Sequence, residues 1–300
     1  FAVNDGPLAG QDGKKVTARQ IWDRLEREGR ANVSLQVAQT DLSTVFHVTG
    51  RGSMQIAILV EQMRREGYEV LVSRPEVLKH QDEKGQWLEP IEKVFLEVPE
   101  DSVGDVIEAL AKRKGTVTDM APSGDRMTVQ AIAPTRGLIG FEVELLNLTR
   151  GEGLMSHLFH EYGPDAGEIP ARRNGVLVSM ENGTVTPFAL DILQNRGKMM
   201  VVPGDKIYKG MIAGENLRDN DLPVNAVRSK HLNNIRSSGD GKGIMLKAPL
   251  ILSLERALEY IAPDEYVEAT PSTLRLRKKI LDEHARKRAE KALAAQTATP

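Results

Sequence analysis

One stretch of the chain gathers cationic and amide side chains: Arg228-Ser229-Lys230-His231-Leu232-Asn233-Asn234-Ile235-Arg236-Ser237-Ser238-Gly239. Arginine and lysine neutralise phosphates, while histidine and asparagine can meet base edges or 2′-hydroxyls of irregular RNA. The bland alternative is a long solvated loop between β runs. A second cluster comprises Arg275, Arg277, Lys278 and Lys279, with Arg286, Lys287, Arg288 and Lys291 on the tail. Its chemistry is that of a phosphate-binding tail, and its ordinary meaning is a solvated charged face.

Other candidate chemistry fails on spacing. A phosphate loop needs Gly-x-x-x-x-Gly-Lys-Ser/Thr on a strand-to-helix turn. Gly10 and Gly13 before Lys14 are too close together, and Lys15 stands where a magnesium-binding hydroxyl belongs. Gly239, Gly241, Lys242 and Gly243 precede no helical pattern. His157 and His160 fall on an alternating segment, where positions three apart face opposite sides, so no metal site is expected from them. Glu142 and Glu144 lie two apart on a helical pattern and do not face each other, which points to a solvated face instead of an acid/base pair. No catalytic residue is assigned.

These residues must be positioned by a repeated unit. A Thr17-x-x-Gln20 capping box opens a helix through Ile21 and Leu25 to Gly29. Val33, Leu35 and Val37, then Phe46 and Val48, read as two strands. Ile56, Leu59, Val60 and Met63 mark a second helix, and Tyr68, Val70 and Val72 restore a period of two. With an extended start at Phe1 the order is βαββαβ. The same order recurs: Val94–Val98 on a strand, Val103 to Leu110 on a helix, Met127 to Ala131 extended, Phe141 to Leu148 helical, Leu154 to Tyr162 extended. Ile21, Leu25 and the pair Arg51-Gly52 all have counterparts about 85 residues on, at Val106, Leu110 and Arg136-Gly137. Beyond Gly167 the texture turns mostly β. Val176–Val178 and Phe188–Leu190 are expected to flank a hairpin turn at Asn182-Gly183. Val201-Val202, Ile207-Tyr208 and Ile244–Leu246 read as further strands, Leu254 to Ile261 as a helix behind Ser253, and Leu281 to Ala295 as a terminal helix.

The fold class is therefore α+β: two ferredoxin-like βαββαβ sandwiches at 1–80 and 88–166, then a mostly β domain at 167–300 with a terminal helix. Three hundred residues at 40% hydrophobic content can close such cores. The net charge of −2 gives the whole chain no electrostatic preference, so any must be local. The absence of cysteine excludes disulfides, thiolate nucleophiles and cysteine zinc sites and suits a cytoplasmic location. With no long apolar run and no signal-peptide pattern, no membrane partner is expected. The start at Phe1-Ala2-Val3, without methionine, reads as a strand interior, and removal of an upstream part is expected.

Specific strings carry a resemblance. VTGRGSMQIAILVEQMRREGYEVLVSRPEV resembles domain III of translational GTPases of the elongation factor G type, and PTRGLIGFEVELLNLTRGEG resembles their domain V. RRNGVLVS, LQNRGKMMVVPGDKIYKGMIAGENLRDNDLPVN and LSLERALEYIAPDEYVEATPSTLRLRKK resemble the C-terminal domain of the BipA/TypA branch, and the resemblance covers nearly the whole chain. It implies a monomeric GTPase that binds the ribosome, with domains III and V on ribosomal RNA. Its C-terminal domain would touch the acceptor end of an A-site tRNA, in a role linked to stress-responsive translation and large-subunit assembly. The RNA-reaching residues would be Lys230, His231, Leu232, Asn233, Asn234, Ile235 and Arg236, with GTP and Mg²⁺ held in a missing G domain. A tandem ferredoxin-like metabolite sensor is the competing reading, but such a sensor has no need of the basic loop and tail.

Because each phosphate-loop candidate fails in spacing or context, the purified chain should not hydrolyse GTP, and saturating GTP should leave its melting temperature unmoved. Turnover above a buffer blank would overturn this.

Overall fold

The computed structural model describes residues 1–169, 172, 174–229 and 245–297. Contacts divide the chain into two units, Phe1–Arg74 with Arg172–Pro300, and Pro75–Ala171. The segments read from the sequence as first and third parts thus form one unit.

The first segment runs β1 (Ala2–Val3), α1 (Ala18–Ala31), β2 (Gln36–Gln39), β3 (Phe46–Thr49), α2 (Ser53–Arg65) and β4 (Val70–Ser73). Thr17 caps α1 reciprocally with Gln20, the hydroxyl accepting from the Gln20 N–H and the Gln20 amide oxygen from the Thr17 N–H. Ile21 and Leu25 on α1, and Leu59, Val60 and Met63 on α2, are buried. β1 pairs antiparallel with β4 and touches the β3 side through Ala2 and Val45, giving the spatial order β2-β3-β1-β4. Val33, expected on a strand, precedes β2 and is exposed.

The second unit runs β5 (His80–Gln81), β6 (Trp87–Pro99), α3 (Val103–Lys112), β7 (Thr116–Ser123), β8 (Arg126–Pro134), α4 (Thr135–Leu138), α5 (Phe141–Leu148) and β9 (Leu154–Pro164). Its sheet has the order β7-β8-β6-β9, the same connectivity, and Val94, Leu96, Val106, Leu110, Val129, Phe141 and Leu145 fill its core. Both Arg-Gly pairs lie between the third strand and second long helix of their units, but their chemistry has diverged. Gly52 precedes α2 in open space, whereas a Cβ on Gly137 would stand 2.4 Å from the Arg113 carbonyl oxygen.

The last segment contains β10 (Val176–Ser179), β11 (Gly183–Thr184), α6 (Pro187–Leu193), β12 (Gly197–Met199), β13 (Lys206–Ile207), β14 (Ile212–Asn216), β15 (Leu222–Val224), α7 (Leu254–Tyr260), β16 (Glu265–Ala269), β17 (Leu274–Lys278) and α8 (Glu283–Thr297). One sheet is ordered β12-β14-β10-β15, and β11 pairs with β13. The expected strand at Phe188–Leu190 is helix. Thr186 accepts from the Ala189 N–H and Pro187 occupies the first turn, so a helix start overrides the hairpin reading of Asn182-Gly183. Val201-Val202 and Met245-Leu246 are not strands either, and Ile244 is outside the described residues. No helix among the described residues is long and apolar enough to cross a membrane.

The union of first and last segments is a strand pairing. β16 lies antiparallel beside β4, with Val267 opposite Val72, and β17 follows, so the sheet reads β1-β4-β16-β17. A sheet edge left open at β4 would expose a buried, apolar strand to stray pairing. Leu254, Leu258 and Ile261 of the α7 region join Ile56, Val60 and Met63 in one core. Leu258→Ala should cost about 2–5 kcal/mol. Because the core is shared, hydrogen exchange should also quicken in α2 and β4. Faster exchange confined to residues 245–297 would refute a single core.

Candidate functional site

The amides that made Gly10 and Gly13 resemble a phosphate loop already hold an anion. Glu69, fully buried at the start of β4, accepts from the N–H groups of Gly10 (2.8 Å), Asp12 (3.1 Å) and Gly13 (2.6 Å). Asn4 Nδ2 bridges this carboxylate to that of Glu268, at 3.1 and 3.2 Å. Lys15 does not reach for a nucleotide; its ammonium lies 4.5 Å over the Tyr68 ring. Gly239, Gly241, Lys242 and Gly243 lie outside the described residues.

The second basic cluster sits on β17, and most of it turns inward. Arg275 donates to Glu268 (2.9 Å) and reaches Asp12 (3.4 Å). Arg277, almost wholly buried, pairs with Asp5 and lies 5.8 Å from the Tyr266 ring centre. Lys278 meets Asp221 (2.5 Å), Asp264 (2.8 Å) and Glu265 (2.8 Å), and Arg172 grips Glu265 with two bonds of 2.9 and 3.0 Å. Arg275, Arg277 and Lys278, expected to meet RNA, have carboxylate partners in the same unit: β16 and β17 place Glu268 opposite Arg275 and Glu265 opposite Lys278, while Arg277 lies opposite Tyr266 and takes Asp5 from outside the ladder. Lys279 alone of the four is exposed, 5.1 Å over Tyr266.

Burial by itself would raise the Glu265 carboxyl, but Arg172 and Lys278 outweigh it and hold it below the usual carboxylate range. Burial would likewise lower the Lys278 ammonium, and its three carboxylates push it above the ordinary lysine range. Asp12 is also held low, its desolvation offset by the hydroxyls of Thr270, Ser272 and Thr273 and by Arg275.

The first basic cluster begins at Arg228, which is exposed and whose carbonyl accepts from Thr186 Oγ1 at 2.5 Å. Lys230, His231, Leu232, Asn233, Asn234, Ile235 and Arg236 lie outside the described residues. The two described flanks of that segment are both fastened to α6. Thr186, its N-cap, holds Arg228, and Gln194, its C-cap, donates to the Met245 carbonyl (3.1 Å) and accepts from the Lys247 N–H (2.9 Å). The two flanks are thus held at opposite ends of one short helix. Leu190, Met199, Val201 and Leu246 line an apolar cleft of about 650 Å³ beside the second flank. Sequence reading missed Thr186 and Gln194; the Thr-Pro dipeptide was the available signal.

The remaining candidates separate. His157 Nδ1 is held by Glu92, which also accepts from Thr135 Oγ1 at 2.7 Å, and this partnership raises the His157 value above that of free imidazole. His160 stands apart beside Glu161 at 3.9 Å. Glu144, read as solvated, pairs with Arg113 at 2.8 Å. Among the described residues no group of three or more His, Asp or Glu side chains is arranged to hold a metal ion; the three carboxylates that do meet are occupied by the Lys278 ammonium.

A depressed carboxyl value means stability that is complete above the unfolded-state value and lost as pH falls through the folded one. Arg172→Met takes the two-bonded partner from Glu265 and leaves it Lys278 and the Ala262 N–H, and should cost up to about 3–5 kcal/mol at pH 7. The deficit should shrink as pH falls through the carboxylate range, because Glu265 takes up a proton earlier in the variant than in the parent. Denaturant titrations at pH 7 and 3.5 test this, and a deficit independent of pH would exclude the ion pair as its cause.

Comparison with known proteins agrees with this architecture. Residues 86–173 match the family model described as elongation factor G C-terminus, and residues 174–283 match the TypA/BipA C-terminal domain. A protein of Synechocystis named large ribosomal subunit assembly factor BipA is 47% identical over 279 residues, covering 93% of this chain and 47% of that protein. Proteins of the same name from Bacillus subtilis (45% identical) and Haemophilus influenzae (46%) each align over 293 residues, 97% of this chain and 48% and 47% of their own lengths. The chain thus spans about half the length of the curated relatives it matches. With both domains present in order and identity near 45% along almost its whole length, the chain belongs to the BipA/TypA family.

Proposed function

We propose that this chain is the ribosome-binding portion of a translational GTPase, and that it meets ribosomal RNA and the acceptor end of an A-site tRNA through the segment Arg228–Arg236. The carrying observation is α6: Thr186 and Gln194 fasten the two flanks of a segment containing Lys230 and Arg236. Flanks held at the two ends of one helix favour presentation of that segment. Because Arg275, Arg277 and Lys278 have internal partners, the phosphate contacts fall to Arg228, Lys230, Arg236 and Lys279. Names of the relatives support a role in large-subunit assembly and, with it, a cytoplasmic location. GTP and Mg²⁺ are assigned to the part of those relatives that this chain does not match, and the working form is a monomer in stress-responsive translation.

Lys230→Ala with Arg236→Ala should weaken binding to ribosomes and to a tRNA acceptor stem and lower the slope of log affinity against log salt by roughly one to two units. Melting should stay within about 0.5 kcal/mol of the parent. Unchanged affinity and slope in that variant, together with loss on replacing Arg286, Lys287 and Arg288, would move the contact to the tail.

A further inference from the structure

Charge is divided unequally between the two units. Residues 75–171 carry 18 acidic and nine basic side chains, a net −9, in a chain whose total is −2. A surface of that sign repels a phosphate backbone and attracts a basic protein.

The same unit leaves one edge of its sheet open. β9 is eleven residues long and, among the described residues, pairs only with β6. Its backbone groups on the side away from β6 have no strand partner among the described residues. Leu154 (61% exposed) and Leu158 (54%) rise on one face, opposite Glu97 and Lys93. Phe159 (54%) and Tyr162 (46%) stand together on the other, their rings 5.3 Å apart, because the irregularity beside Ile91 and Glu92 adds a residue between them. Glu152 and Glu161 lie exposed just before and near the end of the strand. Both edges carry a register break, but the opposite edge, β7, also has Pro122 and Asp119 inside the strand, whereas the proline of β9, Pro164, is its last residue.

We propose that β9 is a docking edge for an extended, lysine- and arginine-rich protein segment, which adds to the sheet as a further strand. Main-chain bonds supply affinity in this mode, and alternating side chains supply selection. Apolar positions of the guest would cover Leu158 on one face and Phe159 and Tyr162 on the other, and its cations would meet Glu152 and Glu161. This does not depend on the RNA contact proposed for Arg228–Arg236, which lies in the other unit.

The test uses the whole 300-residue chain and two synthetic peptides, one alternating lysine with valine and one alternating glutamate with valine. Hydrogen exchange of the outward amides of residues 154–164 should slow with the lysine peptide, and the acidic peptide should bind at least tenfold more weakly. Raising salt from about 0.05 to 0.3 M should weaken the lysine peptide several-fold, since screening shortens the reach of exposed charges. Leu158→Lys, at an exposed position, should keep the parent melting curve and lose roughly tenfold in affinity, because a lysine on an edge strand blunts it and repels a cationic guest. Equal protection by both peptides would overturn the proposal, as would none at millimolar lysine peptide. Protection by oligouridylate in place of the peptide would make the edge an RNA site. Protection that grows with protein concentration alone would assign it to a second copy of the chain.

Discussion

Three carboxylates with no solvent exposure, Glu69, Glu265 and Glu268, set the terms for the larger unit. A buried carboxylate is tolerable only when its charge and lone pairs are answered nearby. The answers come from far apart in sequence: backbone amides of Gly10 to Gly13, Asn4, Arg172, Arg275 and Lys278. Each partner draws a different stretch of chain against the sheet. The N-terminal loop, the residue following the inserted unit and the last hairpin are located by the same electrostatic demand. Hydrophobic burial supplies the larger share of stability, but it is non-directional and would not by itself choose this arrangement.

That demand also explains why so basic a strand as Leu274–Lys278 is not a surface feature. Leucines occupy one alternation and arginines the other, and both sides of the strand are covered. Arg277 keeps two nitrogens without a hydrogen-bond partner among the described residues, so its site is not fully answered by Asp5 and the Tyr266 ring. On this strand and the residue after it, Lys279 is the cation left exposed. In the BipA/TypA family context, this separates residues that build the domain from residues free to recognise something else.

Local signals were legible and distant ones were not. The Thr17–Gln20 box, the spacing of Ile56 to Met63 and the offset from Leu25 to Leu110 are short-range patterns, and the helices and the repeated unit follow from them. Asn182-Gly183 misled because a turn dipeptide fits several backbones, while Thr186-Pro187 favours only a helix start. The pairing of Val72 with Val267 has no local signature at all. Once that pairing is known, the acids Glu265 and Glu268 opposite Lys278 and Arg275 become readable as cross-strand partners. Without it, they are two unrelated charge runs. The segment from Lys230 to Arg236 was legible only as composition, and the anchoring by Thr186 and Gln194 could not be seen until α6 was placed.

The insertion of Pro75–Ala171 between the two halves of the larger unit has a consequence for synthesis. The inserted unit is contiguous, so it can close its core as soon as its own residues have left the ribosome. The larger unit cannot, because β4 must wait for β16, encoded nearly two hundred positions later. At about 5–20 residues per second the delay is roughly 10–40 s. During it, the apolar strand Val70–Val72 and the Glu69 carboxylate lack their final neighbours. The inserted unit can therefore mature before the unit that surrounds it, whose exposure to proteases and stray strands lasts until β16 and β17 are made.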